Sequence, residues 1–430
     1  MQSQTTASVH TNGSVQHGLN LQDIALVVKE ELQSTPIIDI HTHLFKPSLG
    51  SLGLWGIDEL ITYHYLEAEL FRSNDITPAA YWTLNKTQQA DLIWKALFVD
   101  NPPVSEATRG VVAVLSSLNL PTSGPDLKEA RHFFASQSLE SHIEHVFKLA
   151  GISEAVMTND PLDPAEAPQW TASLPHKQFH PVMRLDRILN KLPDHYQALQ
   201  AAGYQVDQNL SGKSVSEIRR FLDDWAKKMS PVYMACSLPD TFQYPENSTR
   251  ATLLREAVLP ACRELGIPMS VMIGVRYLVN PAIKLAGDAV GKADLRAVEN
   301  LAREFPDNRF LISVLSRENQ HELCVYARKF ANLMPFGCWW FLNNPSIVEE
   351  MTRERLEMLG TSFIPQHSDA RVLEQVIYKW RNTRRTLAPI LTNTYTTLAE
   401  DGRPVSREDI HQDINRMFRT NFQTFCKLKA

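Results

Sequence analysis

The stretch Pro36-Ile37-Ile38-Asp39-Ile40-His41-Thr42-His43 decides how the rest of the chain is interpreted. It is a run of β-branched residues that ends in two histidines, which predicts a buried strand. Alternate side chains of a strand share a face, so His41 and His43 are expected side by side, with Asp39 deeper on that face and the isoleucines opposite. Two imidazoles at a strand end suit a transition metal, and they equally fit an ordinary strand-to-loop turn. The rest of the sequence has to separate these two interpretations.

Length and composition indicate a soluble globular protein. The 430 residues are 43% hydrophobic and 21% charged, which suits two or three domains or one large barrel with insertions. A formal charge of −5 argues against nucleic acid as a partner, and no apolar run approaches the ~20 residues that span a membrane. Residues 1–20 are rich in Ser, Thr, Gln, Asn and Gly and are expected to form a disordered tail. Residues 21–430 are then expected to form a single domain.

The cysteines argue against a disulfide framework. They are odd in number, scattered, and without a Cys-x-x-Cys spacing, so a zinc site built on thiolates is not expected either. A reducing, cytoplasmic setting is the resulting expectation. The five cysteines are Cys236, Cys262, Cys324, Cys338 and Cys426.

A helical insertion is predicted directly after the first strand, from about residue 44 to residue 151. Three segments within it carry apolar residues at three- and four-residue spacing, the pattern of amphipathic helices. These segments are Thr87–Leu97, Ser105–Leu118 and Ser138–Leu149.

Short apolar runs and helical patterns alternate through the rest of the chain. Counting the first strand, eight strands are predicted, and most are separated by segments of helix length. This alternation implies parallel strands with crossover helices, and eight of them close into a TIM-like (β/α)₈ barrel of the α/β class. An open doubly wound sheet is disfavoured because no strand precedes a glycine-rich dinucleotide fingerprint. The further predicted strands are Glu154–Asn159, His180–Leu185, Val232–Ser237, Pro268–Gly274, Phe310–Leu315, Phe336–Phe341 and Ser362–Gln366. The helical patterns are Ser214–Met229, Arg250–Leu265, Asp294–Glu304, Arg317–Leu333 and Pro345–Leu359, with extra C-terminal helices near Ala370–Thr397 and Ser406–Leu428.

Polar side chains gather where these strands end, which is where barrel enzymes carry their chemistry. The end of the third strand gives Arg184 and Asp186, two apart, Trp340 lies on the seventh, and Asp369 and Arg371 follow the eighth. Each has an ordinary alternative role. Asp369 fits a helix N-cap, an Arg after a strand is commonly a solvated charge, and tryptophans commonly pack in the core. Joint placement at strand ends favours a site.

These motifs resemble the uronate (glucuronate) isomerase family of the amidohydrolase superfamily, and most closely its shorter, divergent bacterial branch. The likeness extends over essentially the whole chain from about Gln22. It rests on the His-x-His of the first strand and on Trp55, Tyr63-His64-Tyr65-Leu66, Thr158-Asn159-Asp160-Pro161, Arg184-x-Asp186, Gly337-Cys338-Trp339-Trp340-Phe341 and Ser368-Asp369-Ala370-Arg371.

The resemblance implies a metal site and a set of substrate contacts. By this likeness one divalent ion, usually zinc in the family, is held by His41, His43 and Asp369. Tyr65, Arg184 and Arg371 correspond to residues that contact the carboxylate and hydroxyls of a sugar acid. His64 and Trp340 are further candidates, His64 for catalysis and Trp340 for substrate binding.

One departure from the family bears on the metal. Many members carry His-Ile-Gly at the end of the fifth strand, where this chain has Met272-Ile273-Gly274, and methionine is a poor ligand for such an ion. The fourth strand, Val232–Ser237, offers no lysine for the bridging carbamate of binuclear hydrolases. A mononuclear site is therefore expected.

The resemblance implies the isomerisation of D-glucuronate to D-fructuronate and of D-galacturonate to D-tagaturonate. Moving the carbonyl requires proton transfer between C2 and C1 through an enediol. Asp369 is the first candidate for this transfer, and Tyr65 or His64 is the second. Arg371 or Arg184 is expected to hold the carboxylate bidentately. The alternatives are a mononuclear metal-dependent hydrolase or decarboxylase on the same barrel and an inactive binding protein. Homo-oligomers are common among such barrels.

Overall fold

The computed structural model describes residues 18–172 and 176–428. The expected disordered tail, residues 1–20, therefore lies outside the described residues except for its last three positions. All five cysteines are buried and free of disulfide bonds. Within the described ranges, no helix is long and apolar enough to cross a membrane.

Eight strands form one sheet in which seven run parallel. The strands pair in the order β1-β2-β3-β4-β5-β7-β8, and β6 is a short antiparallel addition to β5 that the sequence pattern did not predict. The bounds are β1 Ile37–Thr42, β2 Ile152–Asn159, β3 Phe179–Arg184, β4 Met234–Pro239, β5 Met269–Arg276, β6 Ala289–Val290, β7 Phe310–Val314 and β8 Leu333–Pro335.

Backbone hydrogen bonds close this sheet into a barrel. Beyond β8, a parallel bridge joins Phe336 to Ile364. The same segment then reaches β1, where the Asp369 N–H donates to the His41 carbonyl at 3.1 Å and the His43 N–H donates to the Ala370 carbonyl at 2.8 Å. The predicted (β/α)₈ architecture is confirmed. The closure also places Asp369 directly beside His41 of β1 and His43, the residue that follows it.

Helices surround the barrel, and a group of them forms the predicted insertion. α2 to α8 all lie between β1 and β2, while α17 and α18 follow the long α16 as extra C-terminal helices. The bounds are α1 Leu21–Ser34, α2 Ile57–Ile61, α3 His64–Ser73, α4 Pro78–Tyr81, α5 Lys86–Trp94, α6 Glu106–Ser117, α7 Lys128–Ala135, α8 Leu139–Ala150, α9 Asp186–Ala201, α10 Ser214–Met229, α11 Thr249–Leu253, α12 Leu259–Leu265, α13 Arg296–Glu304, α14 Gln320–Ala327, α15 Pro345–Leu359, α16 Gln375–Glu400, α17 Arg407–Asn415 and α18 Asn421–Cys426.

The junction of α8 and β2 shows how local sequence positions a barrel strand. The Ser138 hydroxyl accepts a hydrogen bond from the backbone of Ser141 and so caps the start of α8. Gly151 ends the helix in the left-handed region at φ 71°, and β2 begins at the next residue. A Cβ at Gly151 would approach the Arg384 guanidinium to 2.2 Å, so a side chain here would have to displace that guanidinium in addition to adopting a left-handed backbone.

The last two predicted strands are shorter than expected or displaced. The predicted strand Phe336–Phe341 is observed as β8 and the bridge at Phe336, because Gly337 leaves the extended region at φ 66°. Trp340 consequently lies in a 3₁₀ turn, Trp340–Leu342, and not on a strand. The predicted strand Ser362–Gln366 is reduced to the single bridge at Ile364, since the following Pro365 has no N–H to donate to a ladder.

The expectation that Asp39 shares a face with the histidines is wrong. Ile38 and Ile40 pack among the side chains that line the barrel, whereas the Asp39 carboxylate accepts a hydrogen bond from Trp380 of α16, outside the barrel. The pairing of β1 with β2 slips between Asp39 and Thr42. Such a bulge breaks the alternation of faces, which lets His41 point inward directly after Ile40.

Candidate active site

The three predicted metal ligands converge at the end of the barrel where the strands terminate. The His41 Nε2 lies 3.7 Å and the His43 Nε2 3.5 Å from the same oxygen, Oδ1 of Asp369. One ligand atom from each residue can be chosen so that all three lie within 4.8 Å of one another. The two imidazole rings are edge to face, with centroids 5.7 Å apart. We call His41, His43 and Asp369 the metal cluster.

The electrostatics of the metal cluster suit a divalent cation. Burial and the neighbouring His367 ring hold the pKa of His41 well below its usual range. Burial and the positive charge of Arg371 lower the pKa of His43 to about 4. Burial acts to raise the pKa of Asp369, but the neighbouring His43, His41 and His367 outweigh it and the net direction is downward. At neutral pH the cluster is two neutral imidazoles and one carboxylate, the donor set that zinc and similar ions bind.

Asp369 has the features of a ligand and not of a helix cap. Its Oδ1 atom is buried and accepts no hydrogen bond from the described residues. Its backbone lies in the left-handed region at φ 50°, which is strained for a residue with a side chain. The N-cap position of the following helix is Glu374, because α16 begins at Gln375. The alternative interpretation of Asp369 as an N-cap is therefore wrong.

An aromatic group from the insertion and the loop after β8 flanks the cluster. His64 and Tyr65 begin α3, and the Trp340 ring lies edge-on to the His64 ring with centroids 5.9 Å apart. The His64 Nε2 and the Trp340 Nε1 are buried without a partner among the described residues. Burial and Arg371 lower the pKa of His64 to about 3, and burial raises the pKa of Tyr65 well above its usual range. Both side chains are therefore neutral at neutral pH, and Tyr65 is a donor and not a phenolate base.

The two candidate arginines differ in their ion pairs with carboxylates. Arg184 forms a bidentate pair with Asp186, at 2.8 and 3.1 Å, and lies 3.5 Å from the Ser237 hydroxyl. The Arg371 guanidinium makes no ion pair with any carboxylate among the described residues, although its charge lowers the pKa of His43 and of His64. Arg371 is thus near the cluster and available, while Arg184 is already partly neutralised.

The residues at the two positions where this sequence departs from the family pattern point into the interior of the barrel. Met272 is 1% exposed and packs with Ile40, Phe336 and other side chains that point inward. From β4 the corresponding inward side chains are Tyr233, just before the strand, and Ala235. Neither strand adds a nitrogen or carboxylate ligand to the described cluster, which supports the prediction of a mononuclear site without testing it.

Some residues that surround the site were not assigned a role from sequence. His367 is fully buried 5.2 Å from the His41 ring, and neither ring nitrogen has a partner among the described residues. Gly337 makes room for it, since a Cβ there would meet the His367 ring at 1.9 Å. The spacing His367-x-Asp369 is the signal that could have identified it. Tyr233, which contacts His41, lies in an apolar run that carries no such signal.

Comparison with known proteins shows the family to which the chain belongs. No family model matches the sequence, and no curated protein matches it. Among solved structures, a uronate isomerase from Bacillus halodurans C-125 is 48% identical, with a TM-score of 0.94 over 96% of this chain and 98% of that one. A uronate isomerase from Thermotoga maritima (15% identity, TM-score 0.76, 97% and 99% of the two chains) and a glucuronate isomerase from Caulobacter crescentus (14%, 0.72, 98% and 98%) share the fold. On the strength of the Bacillus halodurans match, the chain belongs to the uronate isomerase family.

Proposed function

We propose that this chain is an aldose–ketose isomerase that interconverts D-glucuronate with D-fructuronate and D-galacturonate with D-tagaturonate. The observation that carries the proposal is the convergence of the metal cluster with two guanidinium groups, Arg371 and Arg184, whose charges both act on His43. A site with a cation-binding set and two arginines suits a small substrate that carries a carboxylate and several hydroxyls.

The residues present fit a divalent ion, which we propose to be a single zinc. His41 and His43 offer neutral nitrogen, Asp369 offers a buried oxygen without a hydrogen-bond partner, and this set matches zinc better than it matches magnesium or calcium. When bound, such an ion supplies a Lewis acid that polarises and orients substrate oxygens.

Asp369 is our candidate for the proton transfer. The C2 proton moves to its carboxylate, and the electron pair of the broken C2–H bond forms the enediolate. The proton then returns to C1, while the proton of the O2 hydroxyl moves to O1. Because Tyr65 is a neutral phenol, its role in this scheme is to donate a hydrogen bond to the oxygen on which negative charge develops. His64, a neutral imidazole with an unpartnered nitrogen, is the second candidate for relaying a proton.

The substrate carboxylate is assigned to Arg371, with Arg184 as a second contact. A guanidinium without an ion pair can form two parallel hydrogen bonds to a carboxylate at no loss of an existing interaction. Arg184 has to share its donors with Asp186. The indole N–H of Trp340, buried without a partner, is available to a substrate hydroxyl.

The test is direct conversion by the purified protein. D-Glucuronate and D-galacturonate are incubated separately with the protein, and ketose formation is followed with and without a chelator, then after zinc is restored. We expect ketose from at least one uronate, loss with chelator, and recovery with zinc. No ketose from either sugar acid, with metal bound, would overturn the proposal and leave the hydrolase or decarboxylase alternative to be examined. The metal content of the same sample tests the single ion.

Some further expectations stay predictions. These are the single domain over residues 21–430, the association into homo-oligomers, and the reducing, cytoplasmic setting.

A further inference from the structure

Each histidine of the metal cluster contacts a hydroxyl group through the ring nitrogen that does not face Asp369. The Nδ1 of His41 lies 3.1 Å from the Tyr233 hydroxyl, and the Nδ1 of His43 lies 2.9 Å from the Thr158 hydroxyl. In both rings the Nε2 is the nitrogen that faces Asp369. Thr158 lies on β2 and Tyr233 directly precedes β4, so the two contacts are independent of each other.

The Tyr233 hydroxyl has a second contact that fixes the direction of the first. It lies 2.8 Å from the carbonyl oxygen of Ile40, which can only accept a hydrogen bond. The one proton of the phenol must therefore point to Ile40, since the opposite arrangement would press two acceptors together in a buried place. The phenol oxygen is then an acceptor for His41, which requires the proton of that imidazole to be on Nδ1.

The Thr158 hydroxyl repeats the arrangement with other atoms. It lies 3.0 Å from the carbonyl oxygen of Thr42, which takes its proton for the same reason. Its oxygen is then an acceptor for the Nδ1–H of His43. Thr158 is 5% exposed and Tyr233 is fully buried, so water does not compete readily for either contact.

We infer that Tyr233 and Thr158 are positioning residues that hold His41 and His43 as Nδ1–H tautomers, so that both Nε2 lone pairs are presented to the ion. The inference rests on the proposed metal site for its purpose, and the tautomers are argued from the Tyr233 and Thr158 contacts, which at 3.1 and 2.9 Å are shorter than the 3.7 and 3.5 Å from the two Nε2 atoms to Asp369. A neutral imidazole exists as two tautomers, and only one of them offers a lone pair toward Asp369. Fixing that tautomer before binding removes a rearrangement that the ion would otherwise have to drive.

The experiment has two readouts on the full chain, neither of which depends on turnover. Metal-free protein labelled with ¹⁵N at histidine reports the tautomer of each ring by NMR, with signals assigned by means of His41→Gln and His43→Gln. Zinc affinity is measured by competition with a chromophoric chelator for the wild type, Tyr233→Phe, Thr158→Val and Thr158→Ser. We expect Nδ1–H signals for both rings in the wild type. We also expect about a 10- to 100-fold loss of zinc affinity in Tyr233→Phe and in Thr158→Val, with recovery in Thr158→Ser.

Tyr395→Phe is the matched control for Tyr233→Phe. Tyr395 is also buried and its hydroxyl donates to Asp413, in the C-terminal helices and away from the cluster, so zinc affinity should be unchanged. Wild-type rings protonated on Nε2, or zinc affinities within about twofold of the wild type in both Tyr233→Phe and Thr158→Val, would overturn the inference. Nδ1–H tautomers in a wild type that binds no zinc would support the tautomer assignment and instead contradict the proposed metal site.

Discussion

Two carboxylates five residues apart, the partly exposed Asp369 and the fully buried Glu374, have opposite surroundings. Glu374 is fully buried and accepts hydrogen bonds from His142 at 2.8 Å and from the backbone N–H of Gly56 at 3.2 Å to each oxygen. Asp369 leaves one buried oxygen without a hydrogen bond and has a strained backbone. The same short segment therefore holds one carboxylate that is hydrogen-bonded within the fold and one with a buried oxygen that has no hydrogen-bond partner among the described residues.

The contrast extends to the groups behind each carboxylate. Glu374 joins the start of α16 to the insertion, because His142 belongs to α8 and Gly56 precedes α2. Asp39 has a similar supporting role, since it accepts from the backbone of Ser368 at 3.0 Å and from the Trp380 indole at 2.8 Å. Buried polar groups are normally satisfied, and an exception commonly marks a functional site. Satisfied carboxylates here hold the segment in place, and the unsatisfied one is the proposed metal ligand and proton acceptor.

Substitution of Asp369 tests the functional side of this contrast and carries the largest expected effect. Asp369→Asn removes the negative charge and the proton acceptor while it keeps the shape. We expect turnover on glucuronate to fall by at least ~10²-fold, the low end of a general-base contribution. Steady-state kinetics at saturating zinc is the measurement.

The stability of the Asp369→Asn variant is a second test of the contrast between Asp369 and Glu374. Because Oδ1 has no hydrogen bond to lose and the two histidines beside it are neutral at pH 7, the metal-free variant should unfold in denaturant at pH 7 with a free energy within about 1 kcal/mol of the wild type. Near-normal turnover by a folded, zinc-loaded variant would contradict the assigned role. A large loss of stability without metal would contradict the contrast with Glu374.

Glu374 should show the reverse behaviour. Glu374→Ala leaves the His142 Nε2 and the Gly56 N–H buried without partners, so we expect a loss of about 3 kcal/mol in the free energy of unfolding. Glu374→Gln keeps an oxygen for the Gly56 N–H and is the milder control, at about 1–2 kcal/mol. Denaturant melts of the metal-free proteins measure both. Equal stability of Glu374→Ala and the wild type would show that this network does not support the fold.

The sequence predicted the barrel and the metal cluster because both depend on local patterns. Alternating strands and helices define the architecture, and His41, His43 and Asp369 lie at or just beyond the ends of predicted strands, which any barrel brings together. Helices such as α10 and α15 were predicted with their observed bounds, since their periodicity and flanking residues are unambiguous. Local pattern was sufficient wherever a single element determined the outcome.

Sequence reasoning failed where the outcome depends on contacts between distant elements. The inward turn of His41 depends on a bulge set by the pairing of β1 with β2, and the orientation of Asp39 depends on Trp380, 341 positions later. The aromatic run around Trp340 resembles a strand, but Gly337 turns it into a 3₁₀ turn. Tyr233, the partner of His41, and His142, the partner of Glu374, lie in segments whose sequence patterns predict that they are buried but not which residues they contact.

Substitution of the two arginines carries the smallest expected effect. It tests the same contrast between a side chain that is paired within the fold and one that is not. Arg371 has no ion pair among the described carboxylates, whereas Arg184 is paired with Asp186. Arg371→Lys replaces a bidentate donor by a point charge, so we expect kcat/KM for glucuronate to fall about tenfold, mainly through KM, with the free energy of unfolding unchanged.

Arg184→Lys is the matched substitution, because it makes the same chemical change at a guanidinium that already has a partner. It should weaken the bidentate pair with Asp186 and lower the free energy of unfolding by under about 1 kcal/mol, since both side chains are partly exposed. Its effect on KM should be smaller than that of Arg371→Lys, because Arg184 shares its donors with Asp186 in the free enzyme. The opposite result would be a larger rise in KM for Arg184→Lys and a larger loss of stability for Arg371→Lys. The substrate carboxylate would then be assigned to the wrong arginine, and the lack of an ion pair at Arg371 would not identify the substrate contact.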